Sequence, residues 1–203
     1  MTLKYQSIAF TDDVRAAQER NGSAAAYSHG HDTDRPNDVL SEAEQMFIGT
    51  CDSFYMASIG ANGWPYIQHR GGPAGFLKIT SPTTLLMPDY RGNRQYITLG
   101  NMAQNDCVSL FFMDYSRQAR LKVFARVKEI DLSTNAELRH SLNNPNYKAR
   151  IERALEFQIE AYDWNCPQHI TPRYTQQDIR TATDRMAARI IELENEVERL
   201  KNG

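Results

Sequence analysis

Two segments of the sequence place hydrogen-bond donors and cations beside glycines. Residues 68–73 read QHRGGP, and adjacent glycines let a backbone approach a flat or anionic group closely. A strand that ends in a bulge or turn has the same composition. Residues 88–96 read PDYRGNRQY, so two arginines and an asparagine precede a predicted helix start, a combination suited to binding phosphate. A solvated turn with surface arginines is equally compatible with this segment.

A third segment, residues 163–173, reads DWNCPQHITPR and combines an aromatic ring, a thiol, an imidazole and two amides. Cys166 and His169 could form a nucleophile–base pair, although a cysteine before proline also fits as a small packed residue. Together with His69 they could instead bind a metal. The spacing lacks the closely spaced ligand pair that metal sites commonly show, so no metal site is expected.

Bulk composition excludes several function classes. Lys and Arg total 23 against 25 Asp and Glu in 203 residues, which gives no electrostatic reason to expect nucleic-acid binding. The three cysteines, Cys51, Cys107 and Cys166, form no CxxC pair and indicate a reducing compartment. No apolar run approaches the roughly 18 residues of a membrane span, and residues 1–10 do not form a secretory signal. A soluble, cytoplasmic protein is therefore expected.

The elements that must position these segments predict a small antiparallel barrel. The β-forming runs 54–59 and 64–69 flank Asn62-Gly63, a strong hairpin signal. Further strands are predicted at 83–87, 108–113, 121–130 and 156–162, helices at 11–20, 41–48, 95–104, 134–142 and about 146–154, and a surface loop at 21–38. The absence of βαβ alternation favours a mainly β fold with peripheral helices.

The C-terminal segment has a different pattern. Seven residues repeat at alternating intervals of four and three, as in a coiled-coil heptad: Ile179, Thr183, Met186, Ile190, Leu193, Val197 and Leu200. This helix could form a short coiled coil or lie as an amphipathic helix against the body of the protein. The predicted organisation is thus a helical lead-in packed on the barrel (1–48), a barrel domain (49–175) and a C-terminal helix (176–203).

The three chemistry-bearing segments, in this order, resemble the pyridoxamine 5′-phosphate oxidase-like, FMN-binding split-barrel superfamily. The likeness is strongest to a bacterial branch with HRGG, an FRGNRQ-like segment and DWNCPQHI, which stand here at 69–72, 90–95 and 163–170. AAQERNGS at 16–23 resembles the same branch. The likeness extends over roughly residues 10–175.

This resemblance implies an antiparallel split barrel that binds FMN at the interface of a homodimer. It places the flavin ring along residues 68–73 and the phosphate at Asn93 and Arg94, with Arg91 close by. The implied cofactor-binding residues are Gln68, His69, Arg70, Gly71, Gly72, Pro73, Met87, Pro88, Arg91, Asn93, Arg94, Arg120, Trp164, Gln168 and His169. His69 and His169 are the candidate catalytic proton donors, although a structural role is common for histidine.

The implied activity is that of an FMN-dependent oxidoreductase. It would pass hydride or electrons between a nicotinamide-type donor such as NAD(P)H, or a small organic molecule, and an acceptor. A non-catalytic flavin-binding sensor or stress protein is the alternative, and a deazaflavin- or haem-binding relative is a third. Oxidases of pyridoxamine phosphate have two basic residues where this chain has Asn93-Arg94, and their Arg-rich C-terminal segment has no counterpart here. Vitamin B6 phosphates are therefore not the expected substrates.

Overall fold

The computed structural model describes residues 2–27, 35–164 and 167–202. The chain divides into two compact units. The first unit comprises Met1–Met113 and Arg120–Cys166, and the second unit comprises Asp114–Ala119 and Pro167–Gly203. The division predicted at residues 48 and 175 stays a prediction.

The described residues contain one seven-stranded sheet. Its strands are β1 (Ser53–Ile59), β2 (Pro65–Gly71), β3 (Lys78–Ser81), β4 (Thr84–Tyr90), β5 (Cys107–Asp114), β6 (Ala119–Ile130) and β7 (Ile151–Trp164). Their order across the sheet is β2-β1-β5-β6-β7-β4-β3, and the pairs β1–β2, β1–β5, β3–β4, β4–β7 and β6–β7 are antiparallel. The predicted mainly β, antiparallel fold is confirmed.

Alternation of side chains along the strands builds the core. In β6 every second residue from Leu121 to Val127 is buried, and β7 has the same alternation from Leu155 to Ala161. Phe54 of β1 packs on Phe112 with ring centroids 5.1 Å apart. One face of the sheet therefore supplies the apolar interior, as period-two patterning requires.

The sheet curls so that its two ends approach each other. β2 and β3 lie at opposite ends of the strand order, yet Arg70 of β2 forms an ion pair with Asp89 of β4, the neighbour of β3, at 2.6 Å. A flat sheet would separate these strands by four intervening strands, roughly 4.8 Å apart each. The curled sheet brings β2 and β4 together without requiring a backbone ladder between them.

Six α-helices lie within the described ranges: α1 (Leu3–Ala9), α2 (Asp12–Arg20), α3 (Glu42–Thr50), α4 (Ile97–Met102), α5 (Ala136–Leu142) and α6 (Gln176–Asn202). The predicted caps are confirmed: the Thr11 side chain accepts from the Val14 N–H, and Ser41 with Glu44 forms a capping box. None of the described helices is long and apolar enough to cross a membrane.

Several predicted boundaries need correction. The helix predicted at about 146–154 is wrong, because Ile151 pairs with Tyr90 of β4 and Ala154 pairs with Ile130 of β6. Ile151 also packs against a buried cluster containing Leu86 and Leu142, so tertiary contacts override local helix propensity. Strand β3 and helix α1 are not anticipated by the sequence pattern. The predicted loop at 21–38 contains a 3₁₀ turn, Ala24–Tyr27, while residues 28–34 lie outside the described ranges.

Candidate functional site

A small pocket in the first unit brings several predicted residues together. It is bounded by β2, the end of β4, the segment 91–96 and the first turn of α4. Its lining residues are Tyr66, Gln68, Arg70, Asp89, Tyr90, Gly92, Asn93, Arg94, Gln95, Tyr96, Ile97, Thr98, Leu99 and Glu152. The pocket holds about 50 Å³, whereas sites that enclose a drug-sized ligand hold about 300–1,000 Å³. The pocket of the single chain is therefore too small to enclose a ligand of that size.

The pleat of β2 decides which of its side chains reach this pocket. Tyr66, Gln68 and Arg70 alternate along the strand and line the pocket. His69 lies on the opposite face, where its ring meets the edge of Tyr55 at 5.6 Å. Ile67 shares that outer face and is 66% exposed. The proposed catalytic role of His69 stays a prediction, and the pocket of its own chain does not include this side chain.

A buried ion-pair network fixes the arginine in the pocket. Asp89 lies between two guanidinium groups, with Arg70 Nη1 at 2.6 Å and Arg153 Nη1 at 3.4 Å. The three side chains are only 10–16% exposed. Asp89 and Arg153 are directly opposite each other in the β4–β7 ladder. The strand register therefore presents a carboxylate that holds Arg70 in one orientation beside the pocket.

Glu152 ties the segment after β4 to β7. Its carboxylate accepts hydrogen bonds from Arg91 Nε at 2.8 Å and from the Tyr96 hydroxyl at 3.2 Å. Burial disfavours the charged form of Glu152, but these two hydrogen bonds outweigh burial and lower the pKa of the carboxyl. Tyr96 also lies under the Arg153 guanidinium, 5.2 Å from the ring centroid. The segment 91–96 is thus held at both its ends.

The backbone of this segment is strained at two positions. Arg94 and Tyr96 have φ values of 63° and 53°, in the left-handed region that residues with a Cβ rarely adopt. Asn93 Oδ1 accepts the Gln95 N–H at 3.2 Å and closes the turn between them. Strain of this kind concentrates at ligand-binding sites, where the surrounding contacts hold it in place.

Arg94 differs from the other arginines around the pocket. Arg70, Arg91 and Arg153 are each paired with a carboxylate. For Arg94 no ion-pair or hydrogen-bond partner occurs within the ranges that the structure describes. Its side chain is exposed at the mouth of the pocket. An anion could therefore bind this guanidinium without breaking an existing ion pair.

A polar contact inside the pocket orients Gln68. The hydroxyl of Thr98, a residue that is 2% exposed, donates to Gln68 Oε1 at 3.0 Å. With the amide oxygen occupied, the amide NH₂ of Gln68 is the group left to donate toward a ligand. The pocket thus presents fixed donors on β2 and, at its mouth, a cation with no partner in the described part of the chain.

Comparison with protein-family models identifies the chain. Residues 40–164, more than half of the sequence, match the model for pyridoxamine 5′-phosphate oxidase. The chain belongs to this family. The predicted family is confirmed, and the curled sheet is the family's split barrel. The likeness to one bacterial branch stays a prediction.

Solved structures of HupZ from Group A Streptococcus agree with this fold. HupZ from Group A Streptococcus is 12% identical with a TM-score of 0.50, covering 66% of this chain and 99% of that chain. A histidine-to-alanine variant of HupZ is 12% identical with a TM-score of 0.51, and the match covers 62% of this chain and 99% of that chain. An FMN-binding protein from Syntrophomonas wolfei is 14% identical with a TM-score of 0.45, covering 60% of this chain and 83% of that chain. The comparison with curated proteins found no matching sequence.

Some family-implied residues have structural roles in this chain. Met87 and Pro88 are buried in β4, and Met87 is a core residue. Gly71 and Gly72 end the β1–β2 hairpin beside Pro73, and the Gly72 N–H donates to the Asp52 carbonyl at 2.9 Å. A Cβ at Gly72 would lie 2.7 Å from Cγ of Phe76. Close packing against Phe76 is therefore one physical reason for glycine at this position.

The remaining implied cofactor residues are not among the residues that line this pocket. Arg120 is near the start of β6, with its guanidinium 5.7 Å from the centroid of the Phe111 ring. Trp164 ends β7, and its indole N–H donates to Glu44 Oε1 at 2.6 Å. Gln168 and His169 belong to the second unit, where His169 has a φ of 65°. Cys166 lies outside the described residues. Their roles toward a cofactor stay predictions.

Sequence reasoning missed the residues that hold the pocket together. Asp89 and Tyr96 stood inside the quoted segment 88–96 without being assigned a role, and Glu152 and Arg153 fell in the wrongly predicted helix. Recognising 151–164 as one long strand would have placed Arg153 opposite Asp89. Among the described residues no group of three or more His, Cys, Asp or Glu side chains could hold a metal ion.

The contact between Trp164 and Glu44 predicts a pH-dependent stability. Burial disfavours the charged form of Glu44, yet hydrogen bonds from Ser41 and Trp164 outweigh it and lower the pKa of the carboxyl below 4.5. The carboxylate therefore stabilises the fold above the unfolded-state pKa, and that contribution is lost as the pH falls through the lower folded-state pKa. Glu44→Gln should lower the free energy of unfolding at neutral pH, and its difference from wild type should shrink below pH 4.5.

Urea unfolding followed by tryptophan fluorescence, at neutral pH and at a series of acidic values, measures this difference. Glu42→Gln is the matched control, because Glu42 lies in the same first turn of α3 but is exposed. If the difference in the free energy of unfolding between wild type and Glu44→Gln does not change with pH, ionisation of the Glu44 carboxyl does not contribute to stability.

Proposed function

We propose that this chain binds FMN as a homodimer and is an FMN-dependent oxidoreductase. The observation that supports it best is the guanidinium of Arg94, which has no ion-pair partner among the described residues, whereas Arg70, the other arginine that lines the pocket, is paired with Asp89. A phosphate monoester is the kind of group that such a guanidinium binds, by charge-assisted hydrogen bonds. Asn93 would add neutral hydrogen bonding beside it.

The residues of β2 suit the polar edge of a flavin ring. Gln68 presents its amide NH₂ and Arg70 is held by Asp89, so both donors are oriented before a ligand binds. When bound, FMN would supply the hydride or electron transfer itself. The Arg70 guanidinium, held in place by Asp89, would donate a hydrogen bond to negative charge that develops on a group bound beside it.

The size of the pocket supports a site shared by two subunits. A volume of about 50 Å³ in one chain is too small to enclose a cofactor of this size. The outer face of the β1–β2 hairpin carries exposed apolar side chains, including Tyr55, Ile59 and Ile67. Exposed apolar surface of this kind commonly marks an interface. His69 lies on this face, so we propose that it serves a site completed by the second subunit.

A non-catalytic flavin-binding protein is the second candidate, and one observation favours it. The carboxylates that line the pocket, Asp89 and Glu152, are both held in ion pairs, and no histidine is among its lining residues. A proton donor for a substrate would have to come from outside this pocket.

For both candidate functions the proposed location is a reducing compartment, the cytoplasm, because the cysteines form no CxxC pair.

Purification under native conditions tests the proposal directly. We expect a yellow protein whose released chromophore has the mass of FMN. If NAD(P)H removes the flavin absorbance in the absence of oxygen and air restores it, the oxidoreductase is supported. A flavin that stays bound and that no donor reduces would favour the binding protein. An absorption spectrum typical of a deazaflavin or of haem would mean that this group, and not FMN, is the cofactor. A colourless protein that takes up no added FMN would contradict the proposal.

A further inference from the structure

Helix α6 presents an apolar stripe to solvent along its whole length. The helix spans 27 residues, Gln176–Asn202, and none of them is buried. At 1.5 Å per residue it is about 40 Å long. It begins with a capping box, because Thr175 and Asp178 exchange hydrogen bonds between side chain and backbone. The seven heptad residues, called the seam residues below, are all exposed. The six apolar ones are 43–77% exposed: Ile179, Met186, Ile190, Leu193, Val197 and Leu200.

The residue types in the stripe specify how such a helix pairs. In heptad positions, Thr183, Ile190 and Val197 occupy a, and Ile179, Met186, Leu193 and Leu200 occupy d. All three a residues are β-branched and two of the four d residues are leucine. β-Branched residues at a combined with leucine at d favour parallel two-stranded coiled coils. The one polar seam residue is compatible with burial, because the Thr183 hydroxyl already donates to the Ile179 and Arg180 carbonyls of its own helix.

The flanking charges are complementary to a second copy of the same helix. In a parallel pair, each g residue faces the e residue of the following heptad on the other helix. Arg189 at g would face Glu194 of the partner subunit, and Glu196 at g would face Lys201 of the partner subunit. The next pair toward the N-terminus joins two alanines, Ala182 and Ala187, and adds no repulsion.

The opposite orientation is less well matched. In an antiparallel pair, e residues face e residues, which would bring Lys201 near Arg180 of the partner subunit. One helix carries both residues of each attractive pair, Arg189 with Glu194 and Glu196 with Lys201. A second copy of the same helix therefore has the matching charges. We infer that α6 pairs with α6 of a second copy as a parallel, in-register, two-stranded coiled coil.

This inference does not depend on flavin binding. Fewer than four heptads are marginal as an isolated coiled coil, so pairing is strengthened when another contact holds the two chains together. The proposed homodimer would supply such a contact. The test below reads the position of α6 alone, and it gives the same answer whether or not the protein contains flavin.

Disulfide cross-linking of the full-length protein tests the arrangement. Leu193→Cys and Met186→Cys place a thiol at d, where a parallel, in-register pair brings two identical positions within disulfide distance. Ala188→Cys at the outward f position is the matched control, and wild type shows the background from the native cysteines. After mild oxidation, each d-position variant should give at least about ten times the disulfide-linked dimer of the control, because a disulfide requires Cα atoms within about 7 Å. Equal cross-linking at d and f would overturn the inference.

Charge reversal distinguishes a second copy from any other partner. Adding Glu194→Lys to Leu193→Cys places a lysine against Arg189 of the partner subunit and should slow cross-linking about fivefold. Adding Arg189→Glu as well restores opposite charges and should recover most of the lost rate. Glu194→Lys adds no like charge three or four residues away in its own helix, so its helicity should be kept. Arg189→Glu exchanges the ion pair with Glu192 of the same helix for a like-charge contact, so circular dichroism of each variant must show wild-type helicity. Failure of the second change to rescue the first would contradict the pairing.

Discussion

Arg94→Ala is expected to weaken FMN binding by about tenfold to a hundredfold or more, equivalent to about 1.5–3 kcal/mol for a hydrogen bond to a charged group. The proposed phosphate contact is the reason: Arg94 has no ion-pair partner among the described residues, so its charge is available to the ligand. Alanine also carries a Cβ, so the left-handed backbone at this position is strained to about the same degree in both proteins. Titration of flavin-free protein with FMN, followed by quenching of flavin fluorescence, gives the dissociation constant.

Two controls isolate the contribution of this guanidinium. Lys78→Ala removes one positive charge from exposed β3 and should leave FMN affinity nearly unchanged, because Lys78 does not line the pocket. Arg94→Lys keeps the charge but loses bidentate geometry, so an intermediate affinity is expected. Wild-type affinity in a correctly folded Arg94→Ala protein would mean that the phosphate binds elsewhere.

Locally encoded features of the fold could be predicted from the sequence. The Asn62-Gly63 turn joins β1 to β2, and the caps at Thr11 and Ser41 start their helices as predicted. In each case the signal and the structure lie within a few residues of each other. The segment 146–154 failed because residues 151–154 gain their partners from β4 and β6, which are distant in sequence. Strand β3, four residues long, depends in the same way on pairing with β4.

The same distinction, between local sequence signals and long-range placement, applies to the candidate site. Arg94 and Asn93 stand out in sequence because arginine, glycine and asparagine are concentrated in one short segment. Whether His69 or its neighbours Gln68 and Arg70 face the pocket is set by the strand pleat, and a shift of one residue would reverse it. The pairing of Arg70 with Asp89 arises from the curling of the sheet. These facts concern three-dimensional placement, and no residue pattern in one sequence records them.

Loss of the carboxylate at Asp89 is expected to cause the largest change in stability. Asp89→Asn would leave the buried Arg70 guanidinium without its 2.6 Å ion-pair partner, whereas Arg153 would keep Glu129 and Glu152. Breaking a buried ion pair by removing one partner costs about 3–5 kcal/mol. Because one of the two arginines stays compensated, the lower end of that range, about 3 kcal/mol, is expected. Urea unfolding of wild type and variant measures the difference.

The matched control is an ion pair at the surface. Asp106→Asn removes a carboxylate at 2.7 Å from Arg126, but both side chains are about half exposed, so a loss of at most about 1 kcal/mol is expected. A double variant, Arg70→Met with Asp89→Asn, should recover part of the stability, because it removes the buried charge that the single change leaves unpaired. It should still bind FMN less tightly than wild type if Arg70 contacts the flavin. An Asp89→Asn protein as stable as Asp106→Asn would show that Arg70 finds solvent when its partner is lost, and that Asp89 does not fix its position.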